Sequence, residues 1–224
     1  MKIKQFFTTK DDGNIAYHVT TNTQEVDDNR KALGEKYAFN SSTMRYMEQT
    51  HGNNVHIITK DSPLLTKDCD ALITNVPNTA LMVMVADCIP ILLHDAKKGV
   101  IAAVHAGRNS TFLKITSKTV KMMIETFGCN PEDIEATFGP SIQVCCYEVS
   151  EELAHIVKQS FGDEFVHHER YIDLQGINTK LLKELNVTNI RVEPVCTKCS
   201  HANYFSYRLD KACGRFAGII TIEK

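Results

Sequence analysis

The chain has 224 residues, of which 43% are hydrophobic and 23% are charged, and its formal net charge is −2 at pH 7. This is the composition of a soluble globular protein, and the length suits a single domain over residues 1–224. A chain so close to neutral, without a stripe of lysine and arginine, gives no reason to expect a nucleic-acid partner. The longest apolar run, Ala80 to Ala86, is too short to cross a membrane.

Short apolar runs predict β-strands, mostly in the first half of the chain. Several of these runs are apolar on both faces, as expected for strands that lie between two other layers. The predicted strands cover residues 15–19, 55–59, 71–74, 81–85, 89–94 and 100–104, and a last strand covers 216–222.

Helices are predicted later in the chain. Gly128 ends a run with helical spacing, Ser150 is a typical N-cap because two glutamates follow it, and a further helix is predicted over 177–185. The order of elements favours layers with mixed sheets over a regular βαβ winding. The apolar residues of the first predicted helix are Phe112, Ile115, Val120, Met123, Ile124 and Phe127.

The eight cysteines are predicted to be reduced thiols. The first residues of the chain lack the apolar core of an export signal, so we expect a cytoplasmic protein. The neighbours Cys145 and Cys146 cannot bridge to each other without severe strain. The segment Cys196-Thr197-Lys198-Cys199 is a C-x-x-C, which can form half of a structural zinc site, but the expected second pair is missing. Cys69, Cys213 or the pair Cys145-Cys146 could complete the site only if folding happened to bring them close. We therefore predict unconnected thiols there.

Three short phrases each place a metal ligand beside a glycine or proline. They are Gln49-Thr50-His51-Gly52, Ala86-Asp87-Cys88-Ile89-Pro90 and Val104-His105-Ala106-Gly107. Two imidazoles and one thiolate suit zinc, and three protein ligands leave a fourth tetrahedral position open, as in catalytic zinc sites. The prediction requires the three segments to converge; singly, each residue also suits an ordinary role, such as Cys88 as a small buried hydrophobe. Asp87 is placed to orient a ligand or to move a proton.

Two further segments are candidates for binding an anion. The turn Gly139-Pro140-Ser141 can direct backbone N–H groups to an anion, although an ordinary surface turn would have the same sequence. Arg208 and Arg215 lie close to aromatic residues and glycine, and a guanidinium is a good forked partner for phosphate. The alternative for these arginines is an ion pair with Asp210.

Taken together and in this order, the phrases resemble the laccase-domain, or polyphenol-oxidase, family, whose members are assigned as zinc-dependent purine nucleoside phosphorylases. The resemblance runs from about residue 49 to residue 218 and departs at one place, where the usual W-R-G after H-A-G is replaced by Arg108-Asn109-Ser110. The further matching phrases are Cys69-Asp70-Ala71-Leu72-Ile73-Thr74, residues 139–149 and residues 205–215.

The resemblance implies a single α+β domain with layered mixed β-sheets flanked by helices, of the α/β/β/α type. It also implies that a zinc ion is bound by His51, Cys88 and His105, and copper(II) is a second candidate because it binds such ligands more tightly than zinc. On this basis we assign catalytic roles to Asp87, Cys88 and His105. Substrate or phosphate binding is assigned to Arg208, Arg215 and Ser141, with Arg108 as the fallback for phosphate.

Members of the family are described as cleaving adenosine, inosine and methylthioadenosine with phosphate and as deaminating adenosine. The resemblance therefore implies a phosphorylase that releases free base and ribose 1-phosphate, with a purine nucleoside and inorganic phosphate as partners and adenosine deaminase as a side activity. One alternative is a copper-dependent phenol oxidase, although none of the nine histidines forms the H-x-H pair of multicopper oxidases. Another alternative is a cysteine-dependent amide hydrolase that acts on a cell-wall precursor, with Cys88 as the nucleophile. A zinc-storing module is the non-enzymatic alternative.

Overall fold

Two mixed β-sheets form the centre of the protein, in a computed structural model that describes residues 2–223. The strands are β1 (Lys2–Phe7), β2 (Met44–Met47), β3 (Val55–Ile57), β4 (Leu65–Thr66), β5 (Ala71–Thr74), β6 (Thr79–Val85), β7 (Ile89–Asp95), β8 (Val100–Ala106), β9 (Ile134–Phe138), β10 (Val166–His167), β11 (Tyr171–Ile172), β12 (Asn189–Val192) and β13 (Phe216–Glu223). The helices are α1 (Thr23–Tyr37), α2 (Arg108–Phe112), α3 (Ile115–Phe127), α4 (Glu151–Ser160) and α5 (Leu174–Lys183). Within residues 2–223, none of the helices has the length and apolar character needed to span a membrane.

Each large sheet combines parallel and antiparallel pairs. The first has the strand order β1-β13-β6-β2-β4, in which β13 runs antiparallel to both neighbours and β2 runs parallel to both of its neighbours. The second has the order β12-β9-β7-β8-β5-β3, with antiparallel pairs in the middle and a parallel pair at each edge. The remaining pair, β10 and β11, forms a small ribbon.

Strands that are apolar on both faces place the two sheets between layers of helices. Leu72 of β5 and Val83 of β6 belong to the cluster between the sheets, whereas their neighbours Ile73 and Met82 belong to the two outer clusters. This alternation follows from the two-residue repeat of a strand. Burying one such side chain contributes about 1.5–3 kcal/mol. On the outer faces, α3, α4 and α5 pack against the six-stranded sheet and α1 against the five-stranded one, which confirms the α/β/β/α arrangement.

Most predicted elements are present. Gly128 ends α3 in the left-handed conformation, at φ 65°, and the Ser150 side chain accepts a hydrogen bond from the backbone of Leu153 at the start of α4. The helix predicted from Phe112 to Phe127 is interrupted, because Lys114 lies at φ 58° between α2 and α3.

The strand predicted over 15–19 is wrong, and α1 was not predicted. Ile15 is buried in a loop, and its carbonyl accepts hydrogen bonds of 3.0 and 2.8 Å from Nε and Nη2 of Arg30 in place of a strand partner. Most of the α1 sequence is polar, and Val26 and Leu33 are its buried apolar side chains. So few apolar positions give a weak helical pattern.

Candidate metal centre

The three predicted ligands converge at the ends of strands in both sheets. His51 lies in the loop after β2, Cys88 in the turn between β6 and β7, and His105 near the end of β8. The three potential ligand atoms all lie within 4.8 Å of one another, and 3.9 Å separates Cys88 Sγ from His51 Nε2. The register that pairs Pro90 with His105 places the Cys88 turn beside the histidine. The arrangement that the sequence required is therefore present.

Glycine at position 107 permits this close approach. A Cβ atom there would lie 3.0 Å from Cδ2 of His51 and 3.1 Å from Sγ of Cys88. Both distances are shorter than ordinary van der Waals contact, so a side chain at this position would push two ligands apart. His51 itself lies in the left-handed region, at φ 59°. The H-A-G phrase thus supplies one ligand and the space for the other two.

A buried carboxylate, Asp70, orients both histidines. Its Oδ1 accepts a hydrogen bond of 2.7 Å from Nδ1 of His105 and one of 3.0 Å from the backbone N–H of His51. Its Oδ2 accepts one of 2.7 Å from the N–H of Gly52. With Nδ1 of His105 held in this way, Nε2 faces the centre, which is the common support for a metal-binding histidine. We did not assign Asp70 to the site from the sequence, although an aspartate directly before a buried strand is a signal that could have identified it.

Cys88, His105 and Asp70 shift one another's pKa values. Burial raises the pKa of Cys88, but the neighbouring His105 imidazolium and hydrogen bonds from both histidines lower it to about 6. Burial lowers the pKa of His105, whereas the Cys88 thiolate and Asp70 raise it to about 9. Burial acts against ionisation of Asp70, yet the hydrogen bond to His105 lowers its pKa overall. Two nitrogens and a readily ionised thiol fit a borderline divalent ion such as zinc.

Two side chains hold the His51 loop in place. The amide of Gln49 makes a pair of hydrogen bonds with the backbone of Met84, of 2.7 and 2.9 Å, and so continues the sheet pairing beyond β2. Asn109 Nδ2 donates to the carbonyl of His51 at 2.6 Å. The departure from W-R-G therefore provides an anchor for one of the candidate ligands.

A cavity of about 570 Å³ adjoins the three ligands. Its volume falls within the range of small-molecule sites. Apolar side chains form one part of the wall, and His18, Tyr207 and Arg215 contribute polar groups. The apolar residues that line it include Met47, Met84 and Val85.

The two arginines predicted to bind phosphate occupy different places. Arg215 lines the cavity, and its Nη1 donates to the carbonyl oxygens of Cys213 at 2.8 Å and Gly214 at 3.1 Å. Arg208 is outside that lining; its guanidinium donates to the backbone of Glu148 and lies 5.0 Å from the ring of Tyr147. The alternative ion pair with Asp210 is found for neither arginine within residues 2–223.

Asp87 and Ser141, for which catalytic and phosphate-binding roles were predicted, both make hydrogen bonds inside the protein. Both carboxylate oxygens of Asp87 accept hydrogen bonds of 2.7 Å, one from the Thr197 hydroxyl and one from the Arg208 backbone, so its contacts support a positioning role beside Cys88. Proton transfer by Asp87 stays a prediction. Ser141 is fully buried, and its hydroxyl accepts a hydrogen bond of 2.8 Å from Gln175, which removes it from the cavity wall.

Tyr147 is a further group near Cys88 that was not assigned from the sequence. Burial raises its pKa, and the nearby guanidiniums of Arg108 and Arg208 act in the opposite direction. Arg108, the fallback for phosphate, is exposed at the first position of α2. Both arginines therefore flank Tyr147, whereas Arg215 faces the cavity.

The prediction for the C-x-x-C is corrected by the structure. Cys145 and Cys146 lie beside Cys196 and Cys199, and their sulfur atoms are all within 4.8 Å of one another. The second pair, which was considered improbable from the sequence, thus comes from an earlier turn of the chain, with Cys145 lying 54 residues before Cys199. The four thiols therefore lie close together, whereas we predicted unconnected thiols from the sequence.

Comparisons with known proteins agree with the resemblance. The profile of the family described as multi-copper polyphenol oxidoreductase laccase matches residues 6–223. A Clostridium acetobutylicum protein named purine nucleoside phosphorylase is 36% identical over 223 residues, which cover 98% of this chain and 92% of that protein. A Corynebacterium glutamicum protein of the same name is 34% identical over 237 residues, with 99% and 95% covered.

Two solved structures share the fold. YlmD from Geobacillus stearothermophilus has a TM-score of 0.91 at 26% identity, covering 99% of this chain and 92% of that one. The hypothetical protein YfiH of Bacillus licheniformis has a TM-score of 0.89 at 28% identity, covering 99% and 93%. The chain belongs to the multi-copper polyphenol oxidoreductase laccase family, and the predicted resemblance is confirmed.

Proposed function

We propose that the protein is a zinc-dependent purine nucleoside phosphorylase that acts on adenosine, inosine and methylthioadenosine. The observation that carries this proposal is the convergence of His51, Cys88 and His105 at the wall of a cavity that also contains Arg215. The names of the relatives support the same reaction class. In the reaction, an oxygen of phosphate forms a bond to C1′ of the ribose while the glycosidic C–N bond breaks, and the departing base takes up a proton.

The side chains of the cavity suit the two substrates. The guanidinium of Arg215 is a forked donor for the oxygens of inorganic phosphate. Met47 and Met84 provide an apolar wall against which a purine can pack. Holding the phosphate and the nucleoside in line contributes several kcal/mol to the rate, up to about 10 kcal/mol.

His51, Cys88 and His105 would hold the zinc ion, and Asp70 keeps His105 in the tautomer that presents Nε2. When bound, zinc supplies a Lewis acid and lowers the pKa of a coordinated water, chemistry that would also serve adenosine deamination as a side activity. Copper(II) fits the same donors, so the metal must be identified by elemental analysis.

A second candidate function rests on one specific observation. The order Cys88, His105, Asp70, with 2.7 Å between Asp70 Oδ1 and His105 Nδ1, is that of a nucleophile, a base and an orienting carboxylate. Without metal, this arrangement favours cysteine-dependent amide hydrolysis. With metal, the thiolate is a ligand and a poor nucleophile, so the metal content separates the two functions.

The experiment incubates zinc-loaded, copper-loaded and chelator-treated protein with adenosine, inosine and methylthioadenosine, with and without phosphate. Free base and ribose 1-phosphate, or its 5-methylthio analogue, are quantified by chromatography. We expect release of base that depends on both zinc and phosphate, loss of this activity in His51→Ala, and full activity in His155→Ala, whose imidazole lies exposed on α4. Base release that persists after chelation, or that ignores phosphate, would contradict the proposal. If the chelator-treated protein hydrolysed an amide substrate and the metal-loaded forms did not, the result would favour the second candidate.

A further inference from the structure

Four cysteines outside the cavity form a compact cluster, which we call the four-cysteine cluster: Cys145, Cys146, Cys196 and Cys199. All of their sulfur atoms lie within 4.8 Å of one another, and Sγ of Cys145 is 3.5 Å from Sγ of Cys199. Two turns bring them together, one between β9 and α4 and one after β12. The cluster uses cysteines that the proposed reaction does not need.

Backbone hydrogen bonds join the two turns independently of the sulfur atoms. The N–H of Thr197 donates to the carbonyl of Ser141 at 3.0 Å, and Ser141 also forms an isolated β-bridge with Cys196. The amide of Gln143 reaches the carbonyl of Val195 at 3.5 Å. Because the protein backbone already holds the turns side by side, the four thiols are brought together before any ligand binds.

The spacing of the sulfur atoms is compatible with a tetrahedral thiolate site. With metal–sulfur distances of about 2.3 Å, the sulfurs of a tetrahedral zinc site are separated by about 3.8 Å. The observed separations, 3.5 Å for one pair and no more than 4.8 Å for any, agree with this spacing. A single metal ion would engage all four sulfurs at once.

We propose that the four-cysteine cluster binds a structural zinc ion, separate from the metal centre of the cavity. Its four protein ligands leave no position for water or substrate, as in closed structural sites. The ion clamps the turn that contains Cys145 and Cys146 to the turn that contains Cys196 and Cys199.

The clamp acts on residues that flank the cavity centre. Thr197, inside the C-x-x-C, donates to Asp87 at 2.7 Å, and Asp87 directly precedes Cys88. The other carboxylate oxygen of Asp87 accepts a hydrogen bond of 2.7 Å from the backbone N–H of Arg208. The structural zinc therefore helps to fix Thr197 and, through it, the position of Asp87 beside Cys88.

The test counts zinc in the purified full-length protein, prepared under reducing conditions, by elemental analysis and native mass spectrometry. We expect two zinc ions per chain in the unaltered protein and one in Cys88→Ala, which removes a ligand of the cavity centre. The double variant Cys196→Ser/Cys199→Ser should also retain one. Cys213→Ser, which changes a cysteine outside both groups, should retain two and serves as the control.

Three results would overturn the proposal. They are an absence of zinc from Cys88→Ala, iron in place of zinc, and a Cys145–Cys199 disulfide found by peptide mapping of protein prepared under reducing conditions. Should the double serine variant fail to fold, cobalt(II) reconstitution of Cys88→Ala tests the same claim without altering the cluster. Intense thiolate-to-cobalt charge-transfer bands would then support a tetrathiolate site, and their absence would refute it.

Discussion

The protein brings potential metal ligands together in two places that differ in exposure, in donor set and in support. The cavity centre has one sulfur and two nitrogens, adjoins a cavity of about 570 Å³, and is backed by the buried carboxylate of Asp70. The four-cysteine cluster has four sulfurs, two of them on exposed residues, and joins two turns. Three ligands beside a cavity suit chemistry, and four ligands without one suit a structural role.

The number and type of ligands, together with the space beside them, indicate what a metal would do at each place. The residues around the cavity centre restrict its shape: Gly107 leaves room for the ligands, and Gln49 and Asn109 hold the His51 loop. The four-cysteine cluster depends instead on backbone pairing between its turns. Disrupting the first should abolish activity, and disrupting the second should mainly reduce stability.

The largest expected effect is on activity and comes from Cys88→Ala. The remaining two histidines cannot complete the coordination shell, so phosphorolysis should fall to the background rate while the protein stays folded. Zinc-dependent release of base measures the activity of the variant, and circular dichroism shows whether the variant is folded. Undiminished turnover in Cys88→Ala would mean that the cavity centre is not where the reaction takes place.

The next effect is on stability and comes from Cys196→Ser/Cys199→Ser. Loss of the clamp should lower the midpoint of thermal unfolding; a destabilisation of about 3 kcal/mol corresponds to roughly 6–12 °C for a chain of this size. Calorimetry of the zinc-loaded proteins measures it, with Cys213→Ser as the control. A midpoint equal to that of the unaltered protein would show that the cluster contributes nothing to stability.

A smaller effect, on metal affinity, is expected from Asp70→Asn. An amide cannot replace the carboxylate as an acceptor for all of its donors, and the loss of such a supporting group typically costs 10–100-fold in affinity or activity. Competition with a chromophoric chelator measures the zinc affinity of the cavity centre. The control is Asp61→Asn, which removes an exposed carboxylate, and equal affinities for the two variants would argue against the orienting role.

The smallest effect is expected from Arg215→Lys, which keeps the charge but removes the forked donor. The KM for phosphate should rise about tenfold, which corresponds to about 1.4 kcal/mol, without a change in thermal stability. Arg191→Lys, on the exposed edge strand β12, is the matched control. If Arg208→Lys raised the phosphate KM and Arg215→Lys did not, the phosphate would bind beside Tyr147 and not in the cavity.

The sequence predicted the central sheet well, because its strands are buried on both faces and carry continuous apolar runs. The strand predicted over 71–74 has the observed bounds of β5, and the others in the middle of the chain differ at their ends. No such run marks α1, because most of its sequence is polar. The apolar run at residues 15–19 is misleading, because Ile15 and Ala16 are buried in a loop and Tyr17–Val19 form a 3-10 helix. Short edge strands such as β4 also cannot be predicted from the alternation of apolar and polar residues, because two residues are too few to show a repeat.

For the candidate site, the sequence indicated three candidate ligands but not the residues that support them. His51, Cys88 and His105 stand beside glycine or proline, and such local signals are readable. The contact between Asp70 and His105 spans 35 residues, and the one between Thr197 and Asp87 spans 110. Contacts of this kind depend on how distant segments pack together in the tertiary fold. They produce no repeating pattern in the sequence from which they could be predicted. The four-cysteine cluster was missed for the same reason.

Anomalous diffraction from crystals at the zinc absorption edge tests the comparison between the two centres most directly. We expect two peaks for each chain. One should lie among His51, Cys88 and His105 with a fourth, non-protein ligand, and the other should lie among the four sulfurs of the four-cysteine cluster. A single peak, or a second peak away from those sulfurs, would contradict the claim that the protein holds one open and one closed metal centre.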